Sequence, residues 1–72
     1  MTELWEDFMN AIILQAVKDY RTALWTLKRK PGNENARLMV QECEEFFRSG
    51  WYELLTDVDG EMLLGRLREE SA

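Results

Sequence analysis

Residues 13–27, which read ILQAVKDYRTALWTL, decide how this chain folds. Their apolar side chains recur at alternating steps of four and three residues, a spacing that puts them on one face of an α-helix. These residues are Ile13, Val17, Tyr20, Leu24 and Leu27. The apolar residues Trp5, Phe8, Met9, Ile12 and Ala16 fall on an overlapping arc. We therefore predict one long helix from Leu4 to Leu27, with an apolar face about half its circumference in width that meets more than one other helix.

A second amphipathic helix of about 14 residues is expected after Pro31, Gly32 and Asn33, which end the first. Either Asn33 or Asn35 is suited to cap it. Its inward stripe is predicted at four-three-four spacing and consists of Ala36, Val40, Cys43 and Phe47.

The carboxyl-terminal third contains two shorter helical segments. Ser49 and Gly50 interrupt the second helix, and residues 51–55 suit a helical turn or short third helix. Residues 56–60 read TDVDG, with Thr56, Asp57 or Asp59 as the cap of a final helix through Leu67. The predicted fold is an all-α bundle: a long N-terminal helix packed antiparallel on a second helix, closed by one or two short C-terminal helices.

Length and composition limit the number of domains and the class of protein. With 72 residues it forms one domain, residues 1–72, and with 46% hydrophobic residues it is expected to fold. It contains neither an apolar run long enough for a membrane span nor a basic leader sequence, and its single cysteine, Cys43, forms no internal disulfide. These features predict a cytoplasmic protein, in the host cytoplasm if a phage encodes it.

Charge is distributed unevenly. The net charge is −5; residues 1–40 contribute +1, and residues 41–72, with nine acids and three bases, contribute −6. Because binding to duplex nucleic acid needs several cationic contacts to phosphates, this balance argues against nucleic acid as the primary ligand. The cluster Lys28, Arg29 and Lys30 is typical of a helix C-terminus, where cations offset the macrodipole.

No residue pattern points to catalysis or to a cofactor. The chain has no histidine, and Cys43 lies on the predicted apolar stripe without a base to activate it. A calcium loop with Asp59 at position 5 would need acidic ligands where the sequence has Leu55 and Arg66. We predict a non-enzymatic protein without a metal or cofactor.

Surplus apolar residues are the main functional signal. Leu14 and Trp25 lie opposite the inward stripe of the first helix, with Arg21 between them, and Leu38 lies opposite the stripe of the second. Either the C-terminal segment covers Trp25, or these residues contact a partner. The acidic side chains Glu42, Glu45, Asp57 and Asp59 either imitate nucleic acid toward a basic groove or keep the protein in solution.

Three segments, AVKDYR at residues 16–21, EFFRSGWY at 45–52 and LLTDVDGE at 54–61, give the chain a resemblance to a group of bacterial proteins. It resembles small uncharacterised acidic proteins of prophages and mobile elements of Gram-positive bacteria. The resemblance implies a protein that binds a host protein, such as a nucleic-acid-binding CRISPR effector, and inhibits or redirects it. The alternative is a structural or accessory module, a homodimeric helical bundle with Leu14 and Trp25 in its symmetric interface.

Overall fold

The computed structural model describes residues 2–71, which form four α-helices. The helices are α1, Thr2–Arg29; α2, Glu34–Phe47; α3, Gly50–Leu55; and α4, Gly60–Ser71. A short turn joins α1 to α2, so α2 runs back along α1, and α3 and α4 both pack against α1. The predicted all-α bundle, with a long first helix and short C-terminal helices, is confirmed.

Side-chain caps explain where the shorter helices begin. The Asn33 side chain accepts a hydrogen bond from the Ala36 backbone N–H at 3.0 Å, and Ser49 Oγ accepts one from Tyr52 N–H at 3.1 Å. Asp59 Oδ1 accepts from Glu61 N–H at 2.9 Å at the start of α4. Each cap satisfies a backbone donor that has no partner within its helix. Of the alternatives in the sequence, Asn33 and Asp59 are the caps.

The core joins α1, α2, α3 and α4 through one cluster of buried side chains. At its centre the Phe47 ring meets Tyr20 and Tyr52 edge-on, with ring centroids 6.1 and 5.5 Å apart. The cluster consists of Val17, Tyr20, Cys43, Phe47, Tyr52, Leu64 and Leu67. Cys43 is buried in it, as the four-three spacing predicted.

A polar network closes one side of this core and ties α1, α2 and α4 together. Glu44 Oε2 accepts hydrogen bonds from Tyr20 Oη at 2.8 Å and from Arg68 Nη2 at 2.9 Å. Arg68 Nε also donates to Tyr20 Oη at 3.1 Å. Burial alone would raise the pKa of Glu44, but the hydrogen bonds from Arg68 and Tyr20 outweigh it and lower that pKa. Burial and the hydrogen bond to Glu44 raise the pKa of Tyr20.

Replacing Glu44 by glutamine should lower the free energy of unfolding by about 2 kcal/mol at neutral pH, because hydrogen bonds to a charged group are among the strongest in proteins. The folded pKa of Glu44 is depressed, so its contribution is complete above the unfolded pKa and is lost as the pH falls through the folded value. Urea denaturation of wild type and Glu44→Gln across the acidic pH range measures this dependence of stability on pH. The difference between them should shrink on acidification.

Glu45→Gln is the matched control for Glu44→Gln. Glu45 is exposed on the same helix, and its nearest partner is Gln41, at a long 3.5 Å. We expect it to change stability by less than about 0.5 kcal/mol. Equal losses in the two variants would show that the network around Glu44 does not stabilise the fold.

The amino end of α1 projects beyond the rest of the bundle. At 1.5 Å per residue its 28 residues span about 42 Å, close to the longest dimension of the molecule, 44 Å. The 14-residue α2 covers only part of that length; its Cys43 thiol lies 3.8 Å from the Ala16 carbonyl oxygen, near its own carboxyl end. The prediction that Trp5 and Phe8 share the apolar face that meets other helices is therefore wrong for these residues, since both are exposed.

Candidate protein-binding surfaces

The outer face of α1 carries Leu14, Arg21 and Trp25, all of them exposed. Trp25 is 57% exposed, so the C-terminal segment does not cover it. The reason is the path of α4, which is fixed to the flank of α1. Arg21 forms a two-pronged ion pair with Glu70, at 2.9 and 3.1 Å, and Lys28 Nζ donates to the Ser71 carbonyl oxygen at 2.9 Å. The Arg29 guanidinium lies 4.6 Å from the centre of the Trp25 ring.

The outer face of α2 carries Leu38, Glu42 and Glu45, which the structure also leaves exposed. Because α1 and α2 pack with their apolar faces together, this surface lies on the side of the hairpin away from Trp25. Glu44 does not belong to it, since its carboxylate turns inward to Tyr20 and Arg68. The acidic residues of α2 are therefore divided between a structural and a solvent-facing role.

Asp57 and Asp59 lie in the turn between α3 and α4, and both are exposed. Asp59 caps α4, which gives it a structural role independent of any partner. Nearby, Arg48, which directly follows α2, pairs with Glu61 of α4 and lies 3.7 Å from Glu44. The eight residues predicted as partner contacts thus occupy three separate places: α1, α2 and the turn before α4.

Sequence reasoning missed a fourth surface at the amino end of α1. Leu4, Trp5 and Phe8, here called the N-terminal patch, are 78%, 60% and 57% exposed, and the Trp5 and Phe8 rings stack at 5.8 Å. The missed signal is the unequal length of the two predicted helices. A helix of about 14 residues is too short to cover the apolar face of one that starts at Leu4.

An apolar groove of about 450 Å³ continues the N-terminal patch toward the bundle. Its lining includes two small residues of α1, Ala11 and Ala16, and Phe46 of α2. Asp19 is the charged residue of its lining, and it accepts a hydrogen bond from Gln15 at 3.0 Å. The groove is completed by Phe8, Ile12 and Gln15.

The side chains that could take part in catalysis, Cys43 and Tyr20, are buried in the core. Burial, with the nearby acids Asp19, Glu42 and Glu44, raises the pKa of the Cys43 thiol and so disfavours its nucleophilic form. Tyr20 is fully buried in the network with Glu44. Among residues 2–71, no group of three or more cysteine or carboxylate side chains is placed to hold a metal ion.

Comparison with protein-family models, with curated proteins and with solved structures finds no match for this chain. Over the described residues, no helix combines the length and apolar character needed to cross a membrane.

Proposed function

We propose that this protein is a non-enzymatic interaction protein that binds a host protein and inhibits or redirects it. The observation that carries the proposal is the exposure of Trp25 on the outer face of α1, which also carries Leu14 and Arg21. Tryptophan and arginine are enriched among the residues that dominate binding energy at interfaces. In a chain this small, burying Trp25 within the monomer would add needed stability, so leaving it in solvent favours a role in binding.

The chemistry of this face indicates the kind of host surface it fits. Trp25 and Leu14 supply apolar contact, and the cations Lys18, Arg21 and Arg29 lie on the same side of α1. A matching surface has an apolar pocket for the indole ring and carboxylates at its edge. The acidic face of α2, with Glu42 and Glu45, lies on the other side of the hairpin and is suited to a basic surface.

A phage-encoded inhibitor of bacterial defence, acting on a nucleic-acid-binding effector such as a CRISPR nuclease, is the finer form of this proposal. It rests on the resemblance of residues 16–21, 45–52 and 54–61 to small uncharacterised proteins of prophages and mobile elements. The exposed carboxylates Glu42, Glu45 and Asp57 support it, since negative charge is attracted to the groove in which such an effector holds nucleic acid.

The test is capture of a host protein from bacterial lysate by the wild-type chain and by Trp25→Ala. We expect Trp25→Ala to lose at least about tenfold in affinity for the captured protein, because truncating a central interface tryptophan typically has that effect. Trp51→Ala is the matched control, since Trp51 is 56% exposed on α3, on a different surface. Isothermal titration with the purified target gives the affinities.

Circular dichroism of each variant establishes that the helices are intact. Loss of binding in Trp25→Ala and retention in Trp51→Ala support the proposal. Equal affinity of wild type and Trp25→Ala for every captured protein would contradict it.

Charge reversal at Glu42 and Glu45 tests whether the acidic face of α2 imitates nucleic acid. An association rate and a salt dependence of binding equal to those of wild type would exclude that imitation.

A further inference from the structure

We infer that the host segment which this protein binds is an acidic peptide stretch with a large apolar side chain, and that a groove between α1 and α4 receives that side chain. The inference rests on the proposed function and names the chemistry of the partner. The groove, here called the α1–α4 groove, has a volume of about 460 Å³. Its lining comes from α1, α3, α4 and the turn between α3 and α4.

The size and the apolar lining of the α1–α4 groove suit one large side chain. Ligand cavities in proteins typically measure about 300–1,000 Å³ and are lined mainly by apolar residues. The apolar lining here includes Ile13, Leu14, Val17, Val58, Leu63 and Leu67. Leu14 and Val58 are 61% and 47% exposed, so part of this lining is in contact with solvent. A leucine, phenylalanine or tryptophan side chain of a partner would displace that solvent and bury the apolar surface.

The α1–α4 groove shares residues with the outer face of α1 on which the proposed function depends. Leu14 and Arg21 belong to both. Trp25 follows Leu14 by eleven residues, three turns of helix, so the two residues lie on the same side of α1 and about 17 Å apart along its axis. A ligand that fills the groove and also contacts Trp25 covers that distance, which corresponds to about five residues of an extended chain. This length favours a peptide segment over a small molecule.

The cations around the groove indicate an acidic partner. Arg66 of α4 and Lys18 of α1 are exposed, and neither has an ion-pair partner among the described residues. Arg66 lines the groove, and Lys18 lies one helical turn from both Leu14 and Arg21. Carboxylates of a bound peptide complement these two cations, although the chain as a whole has a net charge of −5.

Acidic residues close to the groove do not cancel this positive charge. Glu70 supplies the one carboxylate in the described lining, and it pairs with Nε and Nη2 of Arg21. Asp57 and Asp59 flank Val58 in the sequence, but they line a different cavity. The described lining of the α1–α4 groove therefore carries two arginines for one carboxylate.

Selection from a random library of 12-residue peptides, with immobilised wild-type protein as the bait, tests the inference. We expect the enriched peptides to contain an excess of aspartate and glutamate around at least one leucine, phenylalanine or tryptophan. Fluorescence anisotropy with the most enriched peptide then gives its dissociation constant. That constant should rise with salt concentration, because salt screens the attraction between exposed charges.

Two variants test whether the peptide lies in the groove. Val58→Glu adds a carboxylate to the lining and should raise the dissociation constant at least about tenfold. Arg66→Gln removes one cation and should raise it about threefold, the effect of losing an exposed ion pair. Leu54→Glu and Arg37→Gln are the matched controls, since both residues are exposed and neither lines the groove. At physiological salt these controls should change the constant by less than about twofold.

Three results would overturn the inference. The first is enrichment of basic or uncharged peptides, or of no peptide at all. The second is an acidic peptide whose affinity is the same in wild type, Val58→Glu and Arg66→Gln, with circular dichroism showing that both variants are folded. The third is an equal loss of affinity in Val58→Glu and Leu54→Glu.

Failure of this inference is distinguishable from failure of the proposed function. Host capture that needs Trp25 but is equal in wild type and Val58→Glu would contradict the groove alone. Peptide binding that Val58→Glu weakens, together with host capture that does not need Trp25, would support the groove and contradict the role of Trp25.

Discussion

Phe47→Ala should lower the free energy of unfolding by about 3–5 kcal/mol, the usual cost of truncating a buried phenylalanine. The Phe47 side chain is almost fully buried, and its ring contacts the rings of Tyr20, Phe46 and Tyr52, with centroids 6.1, 5.3 and 5.5 Å apart. Its removal leaves a cavity where α1, α2 and α3 meet. Small domains have only about 5–15 kcal/mol of stability in total, so the variant should lose much of its folded population at moderate temperature.

Phe8→Ala makes the same chemical change at an exposed site and is the control for Phe47→Ala. Phe8 is 57% exposed and touches Trp5 rather than the core. This variant should change stability by less than about 1 kcal/mol. Thermal and urea unfolding of both variants, compared with wild type, measure these changes in stability. A shift of only a degree or two for Phe47→Ala would show that this stripe of α2 is not the core.

The first two helices could be predicted from sequence because their apolar spacing is strong and their ends are marked. Pro31 and Gly32 stop α1, and Asn33 caps α2, so the hairpin follows from local chemistry. The inward stripe of Cys43 and Phe47 follows in the same way, since one periodic face per helix must be buried.

Which element packs on the apolar face of each helix could not be predicted from these patterns. Periodicity identifies the apolar side of a helix but not the element that packs on it, so it places Trp5 and Phe8 on the same face as residues that are buried. The fate of Trp25 depends on where α4 lies along α1, which is set by the burial of Leu64 and Leu67 in the core and is accompanied by the exposed ion pair of Arg21 with Glu70. These two residues are far apart in sequence, and their pairing leaves no local pattern.

The polar network of Tyr20, Glu44 and Arg68 also could not be predicted, because it depends on contacts between residues far apart in the sequence. Glu44 belongs to a run of acids, Glu42, Glu44 and Glu45, that looks like a uniformly solvated face. Only the packing of α4 against α2 brings Arg68 within 2.9 Å of Glu44 and separates it from its neighbours. The number of carboxylates available to a partner is therefore smaller than the sequence indicates.

Gly60→Ala should lower the free energy of unfolding by about 3 kcal/mol, at the upper end of the usual cost of overpacking. A Cβ atom at Gly60 would overlap the backbone carbonyl of Phe47, where α4 begins against the end of α2. A backbone group is unable to rotate away as a flexible side chain does, so α4 would have to move relative to the core. None of the glycines among the described residues has a positive φ, so the requirement at this position is steric.

Gly65→Ala is the opposite case on the same helix and serves as the control. A Cβ atom there meets nothing within 4 Å, and the position lies in the interior of α4, where alanine is favoured over glycine by about 1 kcal/mol. We therefore expect Gly65→Ala to stabilise the protein while Gly60→Ala destabilises it, which urea denaturation measures in parallel. If Gly60→Ala were as stable as wild type, α4 could not begin against the Phe47 carbonyl, and the placement of Leu64 and Leu67 in the core would have to be revised.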